Sequence, residues 1–235
     1  MCPRGGRVPD GIFGAAALGR ARMAAKNRRN YTLSDADLMA VGSHGVARNF
    51  PKNAIIVTEG DATDSLYVIL EGRVKVFVSD GEGREMLLLT QGPGEYFGEM
   101  MLDEGPRSAS IMTLEPSRFL VVQKNDFRDF VASNPAFALS LIDKLIGRAR
   151  ALTASVKSLA LMDVYGRVAR LLLELAEETD GKMSIPQRLT QQDIASRIGA
   201  SREMVSRILK DLSTGGYLTQ TRTGIMLHRK PPDHW

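Results

Sequence analysis

From Asn49 onward the chain runs in short apolar stretches broken by turns. Ala54–Val57, Leu66–Leu70, Val74–Val78, Met86–Leu89 and Phe119–Val122 alternate with Glu59-Gly60-Asp61, Glu71-Gly72, Asp80-Gly81-Glu82-Gly83 and Gly92-Pro93-Gly94. Many short strands with a turn signal about every ten residues predict an antiparallel sandwich or roll. Upstream, Ser34 followed three residues later by Asp37 has the form of a capping box, which predicts a short helix through Leu38–Val41.

At Asn134-Pro135 the period changes. Ile142, Leu145, Ala149, Leu152, Val156 and Leu159 step by three and four, the spacing of a heptad seam. Fewer than three heptads also fit a single amphipathic helix packed on its own domain. The neighbours Arg148, Arg150 and Lys157 narrow the apolar stripe and favour a twofold partner, so the reading adopted is a dimer helix. Asp163 sits where the chain breaks and starts another helix. Val164, Val168, Leu171, Leu172 and Leu175 give that helix a wide apolar face, expected to end near Asp180-Gly181.

The most informative stretch is Leu189–Leu212. Thr190 and Asp193 form a second capping box, with Ile194, Ala195 and Ile198 as the buried face of the helix they open. Gly199 supplies a turn and Ser201 caps the next helix. In that helix Val205, Ile208, Leu209 and Leu212 face inward, while Arg202, Glu203, Ser206, Arg207 and Lys210 face out. Helix, glycine turn and helix at this spacing is a helix-turn-helix, whose second helix enters the major groove. The outward set has suitable chemistry: Arg can bond guanine O6 and N7 together, and Glu can accept from cytosine N4. A solvated helix face would explain the charges but not the cap–glycine–cap spacing. Tyr217–Gln220 and Ile225–Leu227, joined across Thr221-Arg222-Thr223-Gly224, are expected to form a hairpin wing.

A second cassette lies in the middle of the chain. Gly94-Glu95-Tyr96-Phe97-Gly98-Glu99-Met100-Met101-Leu102 is followed by Glu104-Gly105-Pro106-Arg107-Ser108-Ala109. Glycines allow close backbone approach, and exposed N–H groups in such a turn can hold an anion. Arg107 offers a fork for phosphate, Glu99 an acceptor for a sugar hydroxyl, and Ser108 a small donor. The set suits an anionic, hydroxylated small molecule such as a nucleotide. An internal Arg107–Glu99 salt bridge fits the same residues.

Composition narrows the compartment and the chemistry. The 235 residues are 43% hydrophobic and 25% charged, the balance of a globular chain. No apolar run reaches the roughly 18–20 residues needed to cross a bilayer. Ile12–Leu18 is too short for a secretory signal and is flanked by Asp10, Arg20 and Arg22. The single cysteine, Cys2, leaves no intrachain disulfide, no zinc knuckle and no all-cysteine iron–sulfur cluster. With His44, His228 and His234 the only histidines, axial haem ligation is not expected either, so the chain is read as cytoplasmic and without a metal. Net charge is +4, divided as +6 over residues 1–30, −5 over 31–163 and +3 over 164–235. A polyanion partner is therefore expected at the C-terminal end. Residues 1–30 are expected to be a flexible basic arm, with Met23 an alternative start.

Together these segments resemble the cyclic-AMP receptor protein/FNR family of bacterial transcription regulators. The resemblance runs from about Phe50 to Leu227. It is carried by Leu66–Gly72 with Gly83-Arg84-Glu85-Met86, by Phe97-Gly98-Glu99 through Arg107-Ser108-Ala109, by Leu161-Met162-Asp163-Val164 with Gly166-Arg167, and by Leu189–Leu212. It implies an α+β chain: an antiparallel β-roll for a cyclic nucleotide (31–134), a long dimerisation helix (135–162) and a winged helix-turn-helix (163–235).

Residue by residue, the resemblance gives Glu99 the ribose, and Arg107 and Ser108 the phosphate, with Gly98 and Ala109 in the same cassette. It gives Arg202, Glu203 and Arg207 the base-reading positions, hence half-sites resembling TGTGA in an inverted repeat. Thr190 and Ser201 fall where DNA phosphate contacts are expected. It implies cyclic AMP as effector, a homodimer on double-stranded DNA, and RNA polymerase as a partner. Two departures stand out. Where the family carries two adjacent polar residues that meet the adenine, this chain has Leu152 and Thr153, so one base contact is lost; a lost hydrogen bond costs roughly 0.5–1.5 kcal/mol, about 2- to 13-fold in affinity. The Glu99–Arg107 segment is also shorter than in the receptor branch. No Walker loop, kinase signature or Ser/His/Asp arrangement is present, so no enzyme is expected. Arg107→Leu is expected to abolish a ligand response and leave the fold intact.

Overall fold

The computed structural model describes residues 32–231 except 63, 104, 180 and 181; the expected basic arm lies outside the described residues. The chain divides into two compact units, the first reaching Val76 and resuming over Leu89–Arg148, the second made of Phe77–Leu88 and the chain from Ala149 onward.

The first unit is a β-roll, except that the segment Phe77–Leu88 of the roll is grouped with the second unit. Helix α1 (Asp35–Gly42) begins at the expected capping box: Ser34 Oγ accepts the Asp37 N–H at 3.1 Å, and the Asp37 carboxylate accepts the Ser34 N–H at 3.2 Å. Eight strands follow: β1 (Gly45–Phe50), β2 (Ile55–Val57), β3 (Ser65–Glu71), β4 (Val74–Ser79), β5 (Glu85–Gln91), β6 (Tyr96–Phe97), β7 (Ser110–Thr113) and β8 (Ser117–Gln123). They form two four-stranded sheets, in the orders β1-β8-β3-β6 and β2-β7-β4-β5. The first is antiparallel at every pairing, with Gly45 opposite Val122 and Leu66 opposite Val122 on the other side.

Alternation along β3 and β8 feeds two cores. Ile69 and Phe119 join Val57, Val74, Phe97 and Ile111 in one. The Tyr67 and Phe97 rings stack there at 4.9 Å, and Phe119 meets Phe97 edge-on at 5.4 Å. Leu66, Val68, Leu120 and Val122 point the other way, against Leu38, Val41, Phe127, Phe130, Phe137 and Leu141. The last four come from α2 (Lys124–Ser133) and the start of α3 (Pro135–Leu161). Both faces of the central strands are thus covered. Strands β1, β6 and β7 and helix α2 went unpredicted because each is too short or too weakly periodic to stand out before its partner strand or core is known.

Helix α3 is one uninterrupted run of 27 residues. Its expected seam lies in solvent in the single chain: Ile142, Leu145, Leu152, Val156 and Leu159 are all exposed, and Ala149 with them.

The second unit contains α4 (Val164–Leu175), capped by Asp163, whose Oδ1 accepts the Gly166 N–H at 2.7 Å. The helix stops at Leu175, short of the expected end, because Ala176 turns extended. The chain then pairs as β9 (Glu177–Thr179) with β10 (Lys182–Ile185), and β10 pairs in turn with the wing. Helices α5 (Gln191–Ile198) and α6 (Arg202–Thr214) and strands β11 (Leu218–Gln220) and β12 (Ile225–Leu227) complete the unit around one core, which includes Val168, Leu172, Ile194, Val205, Leu209 and Leu218. No helix among the described residues is long and apolar enough to cross a membrane.

Candidate ligand site and nucleic-acid interface

The middle cassette folds into a turn built on Gly98. Its φ of +91° is open to glycine, and a Cβ there would lie 2.6 Å from Arg107 Nη1 and 2.8 Å from Ser65 O. Residues Glu99–Leu102 follow as a single 3-10 turn, and the Met101 N–H returns to Gly98 O at 3.0 Å. The Arg107 backbone ties this turn to another one: its N–H donates to Asp61 O and its carbonyl accepts the Gly60 N–H, each at 2.9 Å.

Arg107 is buried, and burial pushes its guanidinium below the usual range, opposed by the nearby Tyr67, Glu99 and Asp64. Nη2 donates to Ser65 O at 2.8 Å and Nη1 to Gly98 O at 3.2 Å. The alternative of an internal Arg107–Glu99 salt bridge is not what forms. Glu99 pairs instead with Arg148 Nη1 on α3, the two side chains being 11% and 15% exposed. Arg148 Nη2 donates to Tyr96 O at 2.9 Å, and its guanidinium lies 4.9 Å from the Tyr96 ring centroid. Burial raises the Tyr96 phenol well above its ordinary pKa. Ser108 Oγ–H donates to Met100 Sδ at 3.1 Å, and Ala109 is buried beside it in sequence.

Gly98, Glu99, Arg107, Ser108 and Ala109 therefore meet in one place within the first unit. Thr153 belongs to the second unit, where it is exposed and its Oγ1–H donates to Ala149 O at 3.0 Å. Sequence reasoning had placed Arg148 only beside the seam. Its signal was a cation one turn beyond Lys144 and two turns beyond Leu141, both of which are buried. A second signal missed was Met100, 51% exposed, next to the fully buried Met101. Among the described residues no group of His, Cys, Asp and Glu could hold a metal ion.

In the second unit the helix-turn-helix follows its expected caps. Thr190 Oγ1 accepts the Asp193 N–H at 3.1 Å and donates its own proton to Asp193 Oδ2 at 2.7 Å, so this hydroxyl is engaged on both sides. Gly199 closes α5 in the left-handed region, at φ +63°. Ser201 Oγ accepts the Met204 N–H at 3.2 Å. Arg202, Glu203, Arg207 and Lys210 are exposed and Ser206 half-buried, on the face opposite Val205, Ile208, Leu209 and Leu212. Positions 202, 203, 206, 207 and 210 share one helical face. Arg207 also reaches back to Met204 Sδ at 3.9 Å. In the wing, Arg229 stacks 3.9 Å from the Tyr217 ring centroid and donates to Gly215 O, while His228 Nε2 and Thr219 Oγ1 share a 2.8 Å hydrogen bond.

Comparison with known proteins matches both units. Residues 47–134 match the cyclic nucleotide-binding domain family and residues 166–231 the Crp-like helix-turn-helix domain family. A CRP-like cAMP-activated global transcriptional regulator of Mycobacterium tuberculosis is 35% identical over 175 residues, 72% of this chain and 78% of that one. The cAMP-activated global transcriptional regulator CRP of Pasteurella multocida is 34% identical over 176 residues, 72% and 84% of the two chains. Among solved structures, the c-di-GMP-responsive global regulator CLP of Xanthomonas campestris has the same fold at 24% identity, with a TM-score of 0.73 over 83% of this chain and 100% of that one. A CRP/FNR-family transcriptional regulator of Thermus thermophilus superposes with a TM-score of 0.62 at 25% identity, over 78% and 94%.

Proposed function

This chain belongs to the cyclic-AMP receptor protein/FNR family of transcription regulators, which are not enzymes, and on that premise we propose that it is a homodimeric cytoplasmic regulator switched by a cyclic nucleotide, cyclic AMP first. Glu99 takes the ribose hydroxyl, and Arg107 and Ser108 take the phosphate, over the turn at Gly98 and Ala109. Thr153 is the base contact that the family resemblance leaves. The observation that carries the reading is the grip of Arg148 on Glu99: the acceptor for the sugar is already bonded to the helix that carries the seam.

The mechanism follows from that contact. A ribose hydroxyl arriving at Glu99 competes with, or shares, the Arg148 guanidinium, and a phosphate close to Arg107 gives Arg148 a second anion to face. Either change alters how α3 is held on the roll. Helix α3 presents Ile142 through Leu159 to its partner, so the repacking passes to the dimer seam and on to the break at Asp163. The two α6 helices then enter successive major grooves, with Arg202, Glu203 and Arg207 reading bases of TGTGA-like half-sites and Ser206, Lys210, Thr190 and Ser201 beside the backbone. RNA polymerase is the expected further partner.

Fluorescence anisotropy on a TGTGA inverted repeat at fixed salt, with and without cyclic AMP and cyclic GMP, tests the reading. Tightening by one nucleotide is the expected result. Arg207→Ala should weaken specific binding by about 1–3 kcal/mol and relax one base position, and an unchanged sequence preference would refute its role. A second reading rests on Leu152, which cannot hydrogen-bond a purine: the same DNA reader with a pocket for another small anion, controlled by abundance. Tight, specific DNA binding with no nucleotide response would select it.

A further inference from the structure

Ser108, the small donor of the anion site, does not point its proton into open space. Its Oγ–H donates to Met100 Sδ at 3.1 Å, and that methionine is 51% exposed. A thioether sulfur is a weak acceptor. The hydroxyl can therefore leave it for a phosphate oxygen, to which its bond is charge-assisted and roughly twice as strong as a neutral one. Oxidation changes that balance. A sulfoxide oxygen is polar and accepts strongly where the thioether did not. The adjoining Met101 is fully buried in the helix-covered core of the roll, so within this turn only Met100 meets a solute oxidant.

We propose that Met100 is a modification site for hydroperoxides that gates the anion site through Ser108. In the step, the terminal oxygen of the peroxide is transferred to Met100 Sδ. The O–O bond breaks, the S=O bond forms, the sulfur is oxidised by two electrons, and hydrogen peroxide leaves as water. The new oxygen then holds the Ser108 proton that the phosphate needs. This rests on the reading of Ser108 as a phosphate contact.

The test uses the full-length protein before and after dilute hydrogen peroxide, with oxidised methionines mapped by peptide mass spectrometry and cyclic-AMP and cyclic-GMP affinity measured by calorimetry. Affinity is expected to fall about tenfold as Met100 sulfoxide accumulates, the loss of one charge-assisted bond. Methionine sulfoxide reductases should restore it, which damage to the fold would not allow. Met100→Leu should show one affinity before and after peroxide, and Ser108→Ala, already weaker, should lose nothing more. Complete Met100 oxidation without a change in affinity overturns the proposal, as does an equal loss in Met100→Leu. Reduced wild-type protein that binds neither nucleotide overturns the underlying reading of the site, before any peroxide is added.

Discussion

Arg107→Leu separates two roles that the sequence could not distinguish. The substitution removes a guanidinium bonded to Ser65 O at 2.8 Å and to Gly98 O at 3.2 Å. Bonds from a charged donor contribute about 1.5–3 kcal/mol each. Gly98 O keeps the Met101 N–H at 3.0 Å, so the loss falls mainly on the shorter bond to Ser65. Relief of a buried cation, whose pKa burial has already pushed down, offsets part of the cost. The net expectation is a destabilisation of about 2 kcal/mol, or about 4–8 °C in melting temperature for a chain of this length. The variant is therefore expected to keep the fold at reduced stability. Thermal melts by circular dichroism read the structural part, and nucleotide titration well below the melt reads the binding part. Arg107→Lys keeps the charge but not the fork, and should recover part of the stability while binding poorly. A wild-type melting temperature in Arg107→Leu would refute the bracing role, and undiminished nucleotide binding would refute the phosphate role.

Three other outcomes follow from the same geometry. Arg148→Met leaves the Glu99 carboxylate without its cation at a site little exposed to water. It should cost about 3 kcal/mol and uncouple nucleotide binding from DNA affinity, both readable by urea denaturation and anisotropy. Lys144 is buried on α3, and the partner found for its ammonium is Ser140 Oγ at 2.8 Å; burial depresses its pKa. The unfolded chain therefore holds more protons between the depressed value and the ordinary one, so stability rises with pH across that window. Lys144→Met should remove this rise and be neutral or stabilising, by about 1 kcal/mol, in melts across alkaline pH. Ser201→Ala removes the N-cap of α6 and should cost about 1 kcal/mol of stability, read by thermal melts.

The helix-turn-helix was legible because its determinants are local. Thr190 with Asp193, Gly199, and Ser201 are caps and a turn whose spacing alone sets where α5 and α6 begin and end, and the inward face of α6 is a 3.6-residue pattern. Helix α3 and the break at Asp163 were visible for the same reason. Strands β1, β6 and β7 are defined by pairing to residues far along the chain, so no local period announces them. The end of α4 was misplaced because Glu177–Thr179 carries no apolar residue to mark it as a strand; it pairs with β10, which is held by β12 some forty residues downstream. In the ligand cassette, residue types marked Glu99, Arg107 and Ser108 as a set. Only the tertiary structure decided their partners: Arg148 from α3 for Glu99, two main-chain carbonyls for Arg107 and a thioether for Ser108. Partners eight or nine residues away, as for Gly98 and Met100, or more than forty, as for Ser65 and Arg148, depend on how the chain folds back, whereas caps and periods are written within a single turn of chain.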